Sequence, residues 1–110
     1  MKIVDLQVIP FRVSRRPYRH GRFLDESFVT QTLTKVITDE GVEGYYFGGS
    51  GHGDQDGMTP DQISVVTGRL KSMIVGQDAF DREKFWHWMW VANIPENLLS
   101  TVDMVLWDLQ

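Results

Sequence analysis

The sequence contains no cysteine. A disulfide framework and any thiolate metal site are thereby excluded. No apolar run approaches the roughly 20 residues that a membrane helix needs. The N-terminus, Met1-Lys2-Ile3-Val4-Asp5-Leu6-Gln7, lacks the apolar core of a secretory signal. A reducing compartment suits these absences, and the cytoplasm is the expected location. Positive charge is also short: eleven Lys and Arg stand against fifteen Asp and Glu, for a formal net charge of −4. Such a surface is a poor partner for nucleic acid. What remains is 42% hydrophobic and 24% charged over 110 residues. That is a globular composition, long enough for one domain with a core of its own.

The first half alternates with strand period. Val4, Leu6 and Val8 are expected on one face of a first strand, with Asp5 and Gln7 on the other. Pro10 marks an edge or a bend. A second strand is expected from Phe28 to Thr38. Val29, Leu33 and Ile37 fall on one side of it, and Thr30, Thr32, Thr34 and Thr38 line the other, which reads as half-exposed. Thr38-Asp39-Glu40-Gly41 reads as a hairpin turn, with Gly41 free to take positive φ. A third strand, Val42 to Phe47, completes a three-stranded antiparallel meander.

The second half switches to helical period. Thr59 can cap a helix, Pro60 suits its first position and Gln62 completes a capping box. Ile63, Val66, Leu70, Met73 and Ile74 form one stripe, and Gly76 is a stop. A second helix is expected to start on Asp81 as its cap, with Phe85, Trp88, Met89 and Ala92 inward. Trp86 and Trp90 point away from that face and suggest an interface. Asn93-Ile94-Pro95 breaks this helix. A third begins near Glu96 and buries Leu98, Leu99, Val102, Val105, Leu106 and Leu109. It carries no stop signal before Gln110, so the sequence is expected to continue. The fold class is α+β: a meander followed by three helices.

Two loops hold the chemistry-bearing residues. The first, Ser14 to Phe23, is too long for a tight hairpin. Arg12, Arg15, Arg16, Arg19 and Arg22 are five of the eleven basic residues. Guanidinium groups suit carboxylates and polyhydroxylated acids, although from the residues alone a solvated basic loop is the more ordinary reading. The second loop runs from Gly48 to Gly57. A phosphate cradle there would need a parallel βαβ unit. A calcium loop at Asp54-Gln55-Asp56-Gly57 lacks its closing Glu. A metal site from His52, Asp54 and Asp56 would draw three ligands from one short glycine-rich stretch. A plain glycine-rich connection and a substrate lid remain open. The chain contains no carboxylate pair or nucleophile–base pair able to catalyse unaided.

Three stretches together resemble a known family. They are Met1-Lys2-Ile3-Val4-Asp5-Leu6, the hairpin Thr38-Asp39-Glu40-Gly41-Val42-Glu43-Gly44-Tyr45, and the closing helix Asp103-Met104-Val105-Leu106-Trp107-Asp108-Leu109. In this order and spacing the chain resembles the N-terminal capping domain of the mandelate racemase/muconate lactonizing group of the enolase superfamily. The resemblance covers essentially residues 1–110 and implies a (β/α)₈ barrel to follow. It implies a whole enzyme that abstracts the proton α to a carboxylate, using Mg²⁺ and a Lys or His base. Those ligands and that base lie on the barrel, so this chain is expected to hold no metal and no catalytic residue. The resemblance further implies two capping loops that face the substrate: Tyr18, Arg19, His20, Arg22 and Phe23 from the first, and Gly49, Ser50 and His52 from the second. The expected partners are its own barrel, a small carboxylic acid and further copies in a homo-oligomer. The arginines incline the reading toward a sugar-acid dehydratase. A racemase, an epimerase or a cycloisomerase of the same superfamily, or a stand-alone interaction module using Trp86 and Trp90, are the alternatives.

Overall fold

The computed structural model describes residues 1–15, 18–23, 25, 27–47 and 57–109. Five strands are present among them: β1 (Ile3–Arg15), β2 (Tyr18–Arg19), β3 (Arg22–Phe23), β4 (Ser27–Thr38) and β5 (Glu43–Phe47). The meander is antiparallel in the order β1-β4-β5, and β2 and β3 form a separate two-stranded ribbon between β1 and β4. The helical half comprises α1 (Pro60–Val65), a π-helical turn over Val66–Leu70, α2 (Lys71–Ile74), α3 (Arg82–Val91) and α4 (Glu96–Asp108). Backbone angles stay in the right-handed helical region where α1, the π turn and α2 join. They therefore form one rod, the first of the three helices expected. No helix among the described residues is long and apolar enough to cross a membrane.

The hairpin turn and the first helix cap are as anticipated. Gly41 has φ +78° in the hairpin between β4 and β5. The turn closes through the Gly41 amide donating to the Thr38 carbonyl at 3.1 Å. Thr59 accepts from the Gln62 amide at 3.2 Å, and Gln62 Oε1 accepts from the Thr59 amide at 2.8 Å. Asp81 departs from expectation. Its side chain accepts no amide at the start of α3. It instead pairs with Lys84 at 3.3 Å.

Two readings of sheet orientation need correction. Val4 does not share the inner face with Leu6 and Val8, because a register shift between Ile3 and Asp5 turns it outward. Val4 is exposed and Ile3 takes the buried place. The threonine side of β4 is also the buried one, where a half-exposed surface was expected. Thr32, Thr34 and Thr38 are buried beside Val36, whereas Leu33 and Ile37 on the opposite face are only partly covered. The cause is tertiary. Directly opposed residues of an antiparallel pair share a face, and the register sets Thr38, Val36 and Thr34 beside Ile3, Leu6 and Val8. The helices cover that face with Val66, Leu70, Ile74, Leu98, Leu99, Val102, Val105 and Leu106. Hydroxyls are tolerated there where they are bonded: Thr38 Oγ1 donates to the Val42 carbonyl, and Thr32 Oγ1 accepts from the Met58 amide. Thr34 Oγ1 is buried without a partner among the described residues.

β1 runs straight through Pro10, so that Pro10 marks an edge and not a bend. It is an edge strand, so the missing Pro10 amide breaks no interior ladder. The start of that edge is covered by residues 76–79. The Gly76 amide donates to the Ile3 carbonyl and the Ile3 amide to the Gln77 carbonyl, at 2.7 and 2.9 Å.

Candidate functional site

The first-loop candidates stand on the β2–β3 ribbon. Tyr18 pairs with Phe23 and Arg19 with Arg22. Between them His20 and Gly21 have φ of +53° and +77°. Two successive positive values make a type I′ turn, whose twist matches that of the strands it joins. Gly21 tolerates this freely, and histidine is among the few side chains that enter the left-handed region. His20, Arg22 and Phe23 are exposed, Phe23 at 62%. The register puts Arg19 and Arg22 at facing positions of the ribbon. Gly49, Ser50 and His52, with Asp54 and Asp56, lie outside the described residues.

The second loop is nonetheless placed at its two ends. β5 ends with Phe47 opposite Leu33. The chain re-enters at Gly57, whose amide donates to the Thr30 carbonyl at 2.7 Å. Met58 then donates to Thr32 Oγ1 at 3.0 Å and buries its side chain in the core. Both ends therefore sit on adjacent positions of β4, a few residues from Ser27, where the first loop returns. The sequence reading missed Gly57, Met58 and Thr32. Local pattern puts Gly57 in the glycine-rich loop and Thr32 on the outer face.

The residues that carry the family resemblance prove to be scaffold. A β-carbon on Gly44 would stand 2.4 Å from the Val105 carbonyl oxygen, so α4 lies directly on β5 there. The Tyr45 amide donates to Asp108 Oδ2 at 2.9 Å. Asp103 pairs with Arg82 at 3.2 Å, and the Arg82 guanidinium lies 3.8 Å from the centre of the Trp107 ring. Asp39 accepts from the Lys2 amide at 3.0 Å. The hairpin stretch and the closing-helix stretch are thus two sides of one contact. Tyr45 also donates from its phenol to Glu43, which raises the phenol's pKa, a carboxylate neighbour opposing its ionisation.

Among the described residues two apolar regions stay uncovered. On the open side of the sheet Phe11 and Phe47 meet edge to face, 5.9 Å apart, beside partly covered Leu33. On α3, Trp86 and Trp90 are exposed as expected, Trp90 at 63%. Trp88 is a correction. It tilts against Phe85 but remains 36% exposed, with the Lys84 ammonium over its ring. Phe85 and Met89 alone fill the inner face that Trp88 was expected to share. His87 is exposed, and it lines a shallow apolar depression with Met73, Trp88, Val91 and Ala92.

Among the described residues no three His, Asp or Glu side chains converge to hold a metal ion. The described part of the chain therefore does not fit Mg²⁺, and no step involving that ion can be derived from it.

No family model matches the sequence, and no curated protein does. Solved structures do match. A D-glucarate dehydratase from Agrobacterium tumefaciens, complexed with magnesium, is 28% identical with a TM-score of 0.72, over 99% of this chain and 29% of that one. A member of the enolase superfamily from Polaromonas sp. JS666 is 22% identical with a TM-score of 0.70, over 99% and 30%. A mandelate racemase/muconate lactonizing enzyme from a marine actinobacterium, in complex with magnesium, is 22% identical with a TM-score of 0.68, over 98% and 28%. The latter two likenesses show the fold alone. The chain spans less than a third of the length of each of these proteins.

Proposed function

This chain has the fold of the N-terminal capping domain of the mandelate racemase/muconate lactonizing group of the enolase superfamily, and from that premise we propose that it selects the substrate for a barrel domain of the same enzyme. The whole enzyme is read as a cytoplasmic homo-oligomer. It removes the proton α to a carboxylate, with Mg²⁺ held by the barrel. The preferred reaction is dehydration of a sugar acid. The observation that carries this reading is the ribbon with Arg19 opposite Arg22 and His20 at its tip. Facing guanidinium-bearing positions suit the carboxylate and hydroxyls at the far end of a polyhydroxylated acid. The dehydratase likeness at 28% identity points the same way. Tyr18 and Phe23 would pack against the carbon chain. Gly49, Ser50 and His52 would approach from the second loop.

The test is turnover of a sugar-acid library by the complete gene product with Mg²⁺, alongside apolar α-hydroxy acids. Arg22→Met should raise KM for the best sugar acid about tenfold or more, because a lost charge-assisted hydrogen bond is worth about 1.5–3 kcal/mol. Turnover of apolar α-hydroxy acids with no sugar acid accepted would refute the dehydratase reading and favour a racemase. The 110-residue chain alone should show no turnover, and any activity from it would contradict the assignment of catalysis to the barrel.

A further inference from the structure

We propose that Thr32 and Gly57 are positioning residues that clamp the return of the second loop onto the middle of β4, on the strand that also receives the first loop at Ser27. The proposal rests on the capping role argued above for the importance of those loops, but the clamp itself is read from the fold. Three observations support it.

The first is steric. A β-carbon on Gly57 would lie 2.5 Å from the Thr32 amide nitrogen and 2.6 and 2.7 Å from the carbonyl carbon and Cα of Gln31. All three atoms are backbone, so no side-chain rotation could relieve the clash. Gly57 is there because the chain passes directly against β4.

The second is a matter of hydrogen bonding. The Gly57 amide is taken by the Thr30 carbonyl and the Met58 amide by Thr32 Oγ1. Thr32 and Met58 are both buried, at 0% and 4% exposure. A buried amide left without its acceptor costs more than an exposed one. Thr32 supplies the acceptor that the buried Met58 amide needs, on a face it shares with Val36 and the buried Thr34 and Thr38. The bond holds Met58 in place, and Met58 is followed at once by the capping box that starts α1.

The third is placement. Phe47 leaves the sheet opposite Leu33, and Gly57 rejoins it against Thr30 to Thr32. The first loop rejoins at Ser27, on the same strand. The half of β4 from Ser27 to Leu33 therefore receives three of the four loop ends, and the fourth, Arg15, is the register partner of Ser27. A shift of Gly57 relative to β4 would move that end of the second loop against Ser27, where the first loop ends.

Backbone amide exchange on the 110-residue chain tests the clamp, with Thr38→Val as the matched control. Thr38 is another buried threonine of β4 with its hydroxyl bonded, but it sits six residues on, where β4 ends at the hairpin. Thr32→Val should speed exchange of the Met58 amide about tenfold or more relative to the Leu99 and Val102 amides of α4, because one buried hydrogen bond is lost locally. Thr32→Ser keeps the oxygen and should restore the slow rate. Gly57→Ala should speed the same amide, and Thr38→Val should leave it at its native rate relative to α4. If Met58 exchange does not change in Thr32→Val, or changes equally in Thr38→Val, the clamp is refuted whatever the kinetics. In the complete gene product, Thr32→Val should raise KM and reorder substrate preference, with kcat within about twofold, since the substitution touches no reacting atom. An exchange response without any change in KM would uphold the clamp and refute the capping role.

Discussion

Replacing Gly44 by alanine should push α4 off the sheet. The new β-carbon would sit 2.4 Å from the Val105 carbonyl oxygen, about 1 Å inside ordinary contact, with Leu109 Cγ and Val36 Cγ1 at 3.1 and 3.2 Å. The nearest obstacle is helix backbone, so a rotamer change cannot clear it. Moving α4 outward loosens Val105 and Leu106 in the core and strains the bond from the Tyr45 amide to Asp108. Overpacking costs about 1–3 kcal/mol, and the backbone obstacle argues for the upper end. Set against a total stability of about 5–15 kcal/mol, that is a large share. The melting temperature should fall by about 10–20 °C. Urea unfolding followed by tryptophan fluorescence on the 110-residue chain would measure it, with an unchanged slope marking a pure stability effect. Gly68→Ala is the control, since a β-carbon there meets nothing within 4 Å and lies in the helical rod. It should gain about 0.5–1 kcal/mol. A loss below about 1 kcal/mol in Gly44→Ala, or an equal loss in Gly68→Ala, would refute the close-packing argument.

Two further outcomes can be measured on the same chain. Thr59→Ala removes one partner of the capping box and should cost about 1 kcal/mol in a urea titration. The Asp5 carboxyl lies below its usual pKa because the Lys71 ammonium at 2.8 Å, then the Gln7 amide, hold it ionised against the opposing effect of desolvation. A lowered folded pKa adds stability that is present above the unfolded value and lost as pH falls through the folded one. The pair is partly exposed, so its worth is about 0.5 kcal/mol. Asp5→Asn should therefore be less stable than the parent at neutral pH, and the gap should close below about pH 4. A gap that persists at pH 2 would assign the effect to packing instead.

Much of this fold was legible because its signals are local. The Gly41 turn, the Thr59–Gln62 box, the Gly76 stop and the stripe of α4 each depend on a few neighbouring residues, and each is found where the pattern placed it. The candidate site was legible only in part. The arginine-rich first loop was recognised, but its type I′ ribbon was not, since Arg19-His20-Gly21-Arg22 lacks the usual Asn-Gly pair. Helical spacing with Phe85, Met89 and Ala92 places Trp88 inward, whereas Phe85 and Met89 already fill that face of α3. The Gly57 clamp gave no sequence signal. A glycine after a glycine-rich run looks like more of the run.

The sequence by itself determined the order of elements, their caps and turns, and the pairing of neighbouring strands in a meander. It could not determine which face of β4 lies inside. One side offers Leu33 and Ile37, the other Thr32, Thr34 and Thr38 around Val36, and by alternation alone the aliphatic side is the better candidate. Only the packing decided it. The bulge between Ile3 and Asp5 aligns Ile3, Leu6 and Val8 with the threonines, and the helices close over that side. The same choice turned Thr32 inward, where its hydroxyl meets the Met58 amide. A strand's period is a property of its own residues, but its inner face is a property of what packs against it.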